Sequence, residues 1–300
     1  MIKRTAALTF TLIIIMLASV VTAQEDATDR VTVELTDPGE PVFLSVGLVN
    51  GGIIVSGYAG NEVIVESRSK MHKISTSKKT SGKAEGMKRI LVSSSTITVE
   101  EHNNKIEINT DSWANPVDLV IKVPHKTSLD LSCVNSGDIR VENITGDIEV
   151  SNTNGAINLM NINGSAVANA LNQDITVTFS AVDPDKDMSF TTMNGDIDVT
   201  FPASLKAKVK IKANRGDVYS DFDVSAIENP ERVIRDNHRS NSGKYEVKID
   251  RSFWGLINGG GQVIQFSNFN GNIFIRQGNC AGFVRSPRPG RGLFLLIKEC

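Results

Sequence analysis

Residues 136–180 read SGDIRVENI, TGDIEVSNT, NGAINLMNI, NGSAVANAL and NQDITVTFS, a nine-residue phrase repeated five times in succession. Gly137, Gly146, Gly155 and Gly164 fall at equal spacing, with Gln173 in the fifth slot. In each copy an Asn-Gly or Ser-Gly pair permits the dihedrals of a tight turn, and the residues that follow alternate apolar with polar as a half-buried strand must. Ile139 with Val141, Ile148 with Val150, Ile157 with Leu159 and Ile175 with Val177 point one way; Arg140, Glu149, Asn158 and Thr176 point the other. One copy offers about three apolar side chains, worth roughly 1.5–3 kcal/mol each, against an ordering cost of about 1–2 kcal/mol for every residue, so it cannot fold alone. Copies must therefore stack, and the expected fold is all-β: short strands piled into a β-solenoid or β-roll with atypical segments at its ends.

The same phrase recurs out of phase at Gly195 (NGDIDV), Gly216 (RGDVYS) and Gly271 (NGNIFI), with a degenerate copy at Gly52 (GGIIVS). The structural turns are thus assigned to Gly137, Gly146, Gly155, Gly164, Gly195, Gly216 and Gly271. Equal spacing puts Asn143, Asn152 and Asn161 in one slot and Asn154, Asn163 and Asn172 in another. Such registers suit stacked amide ladders, and equally the ordinary use of asparagine in turns. Before the repeat, Arg30–Leu35, Val42–Val49, Val63–Ser67, Ile90–Glu100, Lys105–Asn109 and Val117–Val123 alternate as strands. The segments before Asp111 and after Asn258 are the expected caps.

Lys3 and Arg4 precede an apolar run from Ala6 to Val21, and Val21-Thr22-Ala23 supplies small residues for a signal peptidase, so residues 1–23 read as a secretory signal. The organisation expected is that signal, an N-terminal β segment and cap over 24–110, a β-repeat domain over 111–278, and a poorly ordered tail over 279–300. In that tail the turn-strand phrase gives way to Pro287, Pro289 and Arg285, Arg288 and Arg291 before a short apolar end. Eight basic residues lie between Arg68 and Arg89, read as a solvated loop or short helix in preference to a charge-based site for an anionic glycan or lipid head group, and a polar interruption runs from Ser225 to Gly243. No apolar stretch after the signal is long enough to span a bilayer as a helix.

PVDLVIKVP at Pro116, SLDLSCVNSGDIRVENITGDIEV at Ser128, MNGDIDVTFP at Met193, NRGDVYSDFD at Asn214 and INGGGQVIQFSNFNGNIFIR at Ile257 resemble the bacterial putative-adhesin family of exported β-strand-repeat proteins, also described as the toast-rack domain. The resemblance covers roughly Val42 to Arg276, and the GGG phrase with its closing NGNI strand is its most specific part. It implies an all-β stack, an envelope location and no assigned catalytic site. The basic segment after Ser67 and the tail depart from the pattern.

Residue by residue, the chain offers little to chemistry. His72, His102, His125 and His238 lack paired or HExxH spacing, and there is no GxSxG elbow and no Walker loop. Gly259, Gly260 and Gly261 precede a strand pattern where a phosphate cradle needs a helix, and read as a bulge or tight turn. Asp138, Asp147 and Asp174 share the post-glycine slot of calcium-binding β-rolls, but Ala156 and Ser165 break the series. Asp183, Asp185 and Asp187 imitate a calcium loop without its glycine and glutamate. Cys133 alternates with Leu129 and Leu131 as a buried small side chain, and whether Cys280 and Cys300 pair is open. No catalytic residue, cofactor or metal site is assigned.

With 32 basic against 34 acidic residues, no global field draws the chain to nucleic acid. The expected role is an exported, non-enzymatic adhesin, scaffold or structural element, periplasmic or at the cell surface, whose partner is an envelope glycan or protein. Envelope-stress sensing, or an enzyme acting on polysaccharide along a β-helix groove, are the alternatives.

Overall fold

The structure is a computed structural model that describes residues 28–69, 97–110, 116–135, 137–228, 233–235, 247–249 and 252–278. The signal segment, nearly all of the basic stretch, most of the interruption after Glu228, and Cys280, Cys300 and the rest of the tail lie outside these residues. Every described element is a strand. The first seven are β1 (Thr28–Glu34), β2 (Val42–Asn50), β3 (Ile53–Tyr58), β4 (Glu62–Ser69), β5 (Ile97–His102), β6 (Lys105–Thr110) and β7 (Val117–Pro124). The nonapeptide region gives β8 (Thr127–Asn135), β9 (Ile139–Glu142), β10 (Thr145–Asn152), β11 (Ile157–Ala170) and β12 (Ile175–Val182). Then come β13 (Met188–Asn194), β14 (Ile197–Pro202), β15 (Ala207–Arg215), β16 (Val218–Ser220) and β17 (Val224–Ile227). The last are β18 (Val233–Arg235), β19 (Val247–Ile249), β20 (Phe253–Ile257), β21 (Gln262–Asn270) and β22 (Ile273–Gly278). Twenty of them form one continuous sheet, and β18 pairs with β19 apart from it.

That sheet folds into two facing walls joined by tight corners. One wall runs β4, β7, β3, β9, the first part of β11, β12, β14, β22, β16. The other runs β6, β2, β8, β10, the second part of β11, β13, β21, β15. Apart from β4, each strand of the first wall is joined to its counterpart in the second, so the molecule is a stack of two-stranded rungs about 4.8 Å apart, parallel from one to the next. The expected β-solenoid is what the chain forms. Each nonapeptide is half a coil, however: Ile139 aligns with Ile157 and then Ile175, while Ile148 aligns with Leu129 and Ala166 on the opposite wall.

The inward positions carry the core. Ile139, Val141, Ile148, Val150, Ile157 and Leu159 are all at most 2% exposed. Phe179 stacks on Phe201 and Phe190 on Phe266, with edge contacts between the two pairs at 6.4–6.5 Å. Those edge contacts join the walls across the core.

Rung order departs from chain order at both ends. The β2–β3 rung lies between the β6–β7 and β8–β9 rungs, and the β21–β22 rung lies between the β13–β14 and β15–β16 rungs. Of the expected caps, therefore, β2–β3 and β21–β22 are internal. The ends are finished by antiparallel strands, β4 with β1 and β5 beyond the β6–β7 rung, and β20 with β17 beyond β15. The first and last rungs are wedged in, and β2, β3, β6 and β7 stack in one parallel register with the repeat that follows.

Candidate functional site

Two corners run the length of the stack, and the glycines divide between them. Gly137, Gly155, Gly195, Gly271 and Gly216 lie with Gly51 on one corner; Gly146 and Gly164 lie on the other. Close approach explains the residue type. A Cβ on Gly155 would stand 1.9 Å from the Gly137 carbonyl oxygen, and one on Gly271 would stand 2.1 Å from that of Gly195. Gly195, Gly216 and Gly271 also take positive φ.

The first corner is knitted by three hydrogen-bonded columns. In the outermost, Asn154 donates from Nδ2 to Asn135 Oδ1 (3.2 Å), Asn172 to Asn154 (2.9 Å), Asn194 to Asn172 (3.2 Å) and Asn270 to Asn194 (2.9 Å). A second column lies just past the glycines. Asp138 Oδ1 accepts from Ala156 N, Asp174 from Asp196 N and Asp196 from Asn272 N, at 2.7–2.9 Å. The third is inside the corner, where Cys133, Asn152, Thr192 and Asn268 each donate to the carbonyl of Gly51, Gly137, Gln173 and Gly195 on the neighbouring rung. All three run in one direction along the stack.

These columns settle where the singled-out residues act. The ladder pairs Asn143 with Asn161 and Asn154 with Asn172, eighteen residues apart; Asn152 is instead buried in the inner column, and Asn163 aligns with Thr145. Asp138 and Asp174 pin rungs at the first corner, whereas Asp147 lies at the second, accepting from Ser165 and pairing with Lys186. Asp183 closes a turn onto Asp185 N and Asp187 accepts from Val263 N. Among the described residues no three His, Cys, Asp or Glu side chains are grouped to hold a metal ion. No described helix is long and apolar enough to cross a membrane. Gly259 and Gly260 form a turn with positive φ, closed by Gly260 N donating to Ile257 O. Cys133 is buried, and that burial pushes its thiol pKa up, as befits a structural donor.

Beside the glycine corner three adjacent outward rows are free of charge. Six consecutive rungs place Val49, Val134, Thr153, Leu171, Met193 and Phe269 in one row, all but Thr153 being 40–49% exposed. The amide row of Asn50, Asn135, Asn154, Asn172, Asn194 and Asn270 flanks it on the corner side. Gly47, Ser132, Ser151, Asn169, Thr191 and Ser267 flank it on the strand side. Not one of these outward positions is ionisable, in a chain with 22% charged residues. Charge borders these rows: Asp130 and Glu149 lie two positions before Ser132 and Ser151, Asp138, Asp174 and Asp196 lie just past the corner glycines, and Lys212 and Arg215 stand on the next rung, the latter over the Phe269 ring. By contrast, a shallow hollow of about 410 Å³ on the other wall, where Gly52 leaves a gap, mixes Arg68 and Arg140 with Asp118 and Asp138. The apolar row escaped the sequence reading, although its signal is there: the residue before the asparagine in VNG, TNG, MNG and FNG.

No curated protein matches the chain. Two solved structures are similar over 84% of it, each at 12% identity: a "putative cell adhesion protein" from Clostridium sporogenes, over 99% of that chain with a TM-score of 0.36, and a "putative adhesin" from Bacteroides fragilis, over 97% with a TM-score of 0.31. Residues 134–252, which hold most of the glycine corner, match the Toastrack DUF4097 family, the family its repeat phrases resemble.

Proposed function

We propose that this protein is an exported, non-enzymatic stack of the bacterial cell envelope that works by adhesion or scaffolding, with the uncharged corner face as its binding surface. The observation that carries the reading is the set of three neutral rows. An exposed face ordinarily mixes charges of both signs, and a contiguous apolar row rimmed by polar residues marks an interaction surface. The secretory pattern of residues 1–23 supports export. The acidic residues of the corner support a non-enzymatic role, because their oxygens hold backbone N–H groups of the next rung. The test is fractionation of cells making the tagged full chain, followed by binding of the exported protein to isolated envelopes. Recovery in the envelope fraction with saturable rebinding is expected; a cytoplasmic protein without envelope affinity would overturn the reading.

A further inference from the structure

Resting on that reading, we infer that the corner face binds a linear, neutral, hydroxyl-rich polymer, an extended β-linked glycan laid along the stack across the rungs. Shape is the first argument. Six rungs at about 4.8 Å make a strip about 24 Å long and about 10 Å wide. That area falls well below the roughly 800 Å² each partner contributes to a stable protein interface, so a second copy of the chain finds too little to hold.

Spacing is the second argument. The row offers one side chain per rung, about every 5 Å, close to the advance per ring of a chain of equatorially linked pyranoses. An extended peptide presents same-side groups about every 6.8 Å and falls out of register within two rungs.

Chemistry is the third. Val134, Leu171, Met193 and Phe269 meet the apolar faces of sugar rings, while hydroxyls of Ser132, Ser151 and Thr191 lie on one side and the amide ladder on the other. Hydroxyl groups both donate and accept, as do these flanking rows, and none of the three rows carries a charged side chain that a neutral ligand would have to desolvate, Arg215 covering only the Phe269 end.

The test uses the exported chain and soluble β-1,4-linked N-acetylglucosamine oligomers, with affinities measured by calorimetry. The hexasaccharide is expected to bind at least about tenfold more tightly than the disaccharide, because it spans more rungs. Combined Leu171→Ser, Met193→Ser and Phe269→Ser substitutions, at exposed positions, should weaken it by at least about tenfold with an unchanged thermal midpoint. Ser151→Glu, which puts a charge in the strip, should weaken it as well.

Failure to bind the hexasaccharide, equal affinity for the disaccharide, or full affinity in the triple variant would overturn the inference. So would a dimer that the triple variant abolishes, since that assigns the row to a second copy. If envelopes still retain the wild type while the hexasaccharide is ignored, only the glycan assignment falls. If envelopes ignore it too, the proposed function falls with it.

Discussion

Asn268 donates from Nδ2 to the carbonyl of Gly195, 2.9 Å away across adjacent rungs and 73 residues apart in the chain. The same slot holds Thr192 one rung earlier, which makes the equivalent bond to Gln173 with a single hydroxyl. Asn268 is 2% exposed, and its Oδ1 has no partner. Gly271 N, the donor that would correspond to the Gly155 N bound by Asn152, is committed to the Arg215 carbonyl.

Asn268→Thr should therefore stabilise the protein. It keeps the donor to Gly195, gives up only the long 3.4 Å bond from Nδ2 to the Asn272 carbonyl, and removes a buried acceptor whose isolation costs about 1–3 kcal/mol. A gain of about 1 kcal/mol in urea unfolding is expected, whereas Asn268→Ala should be destabilising. A loss in the threonine variant would mean that the unpaired oxygen is not a liability.

Gly155→Ala and Gly47→Ala separate two reasons for glycine. At Gly155 the added methyl meets the neighbouring rung's carbonyl oxygen at 1.9 Å, and the rungs must part. A cost of about 3 kcal/mol or more is expected, in the range of overpacking. At Gly47 the nearest atom is Ser132 Oγ at 3.6 Å, so Gly47→Ala should be neutral or stabilise by up to about 1 kcal/mol. Equal effects at both sites would show that chain flexibility, not rung contact, selects glycine.

The contrast between these two glycines also shows how far the sequence could be read. The nine-residue period, the inward Ile and Val positions and the turn glycines are local features, and each phrase displays them. Whether the next phrase lies on the same wall or the opposite one is not local, because a turn plus a strand consumes nine residues in either case. Asn143, Asn152 and Asn161 therefore read as one column, whereas only Asn143 and Asn161 share it. Rung order is less legible still: nothing within GGIIVS states that it docks between Leu119 and Ile139. The uncharged strip appears only once six distant segments are laid side by side.

Acid should loosen the β5–β6 end of the stack. Glu101 accepts from Asn104 N at 2.9 Å and from Thr36 Oγ1 at 2.9 Å, tying the segment after β1 to the β5–β6 hairpin. The backbone bond from Asn104 and then the Thr36 hydroxyl hold its pKa below the ordinary 4.5. A folded value depressed in this way contributes stability that is fully present above 4.5 and is lost as the pH falls through the lower folded value. Asp147 behaves alike: burial opposes ionisation, but Lys186 and Ser165 outweigh it and keep its pKa below 3.8. Glu101→Gln should flatten the decline of the thermal midpoint on acidification below about pH 4.5. An unchanged decline would remove Glu101 from the acid response.

Removing residues 262–300 should do more damage than trimming an end. Those residues include β21 and β22, which hydrogen-bond to β13 and β14 on one side and to β15 and β16 on the other. Phe266, Ile264, Ile273 and Ile275 are at most 1% exposed, and each fills the core at roughly 1.5–3 kcal/mol. In a stack whose stability is a sum of rung and nearest-neighbour terms, losing an internal rung also strands the rung beyond it. Hydrogen exchange on the truncated chain should show protection lost throughout 207–227 and kept over 127–182. A chain that stays protected at Val209 and Ile211 would mean that the β15–β16 rung closes directly onto β13–β14, and that the wedged order is a preference of the full chain and not a requirement of the stack.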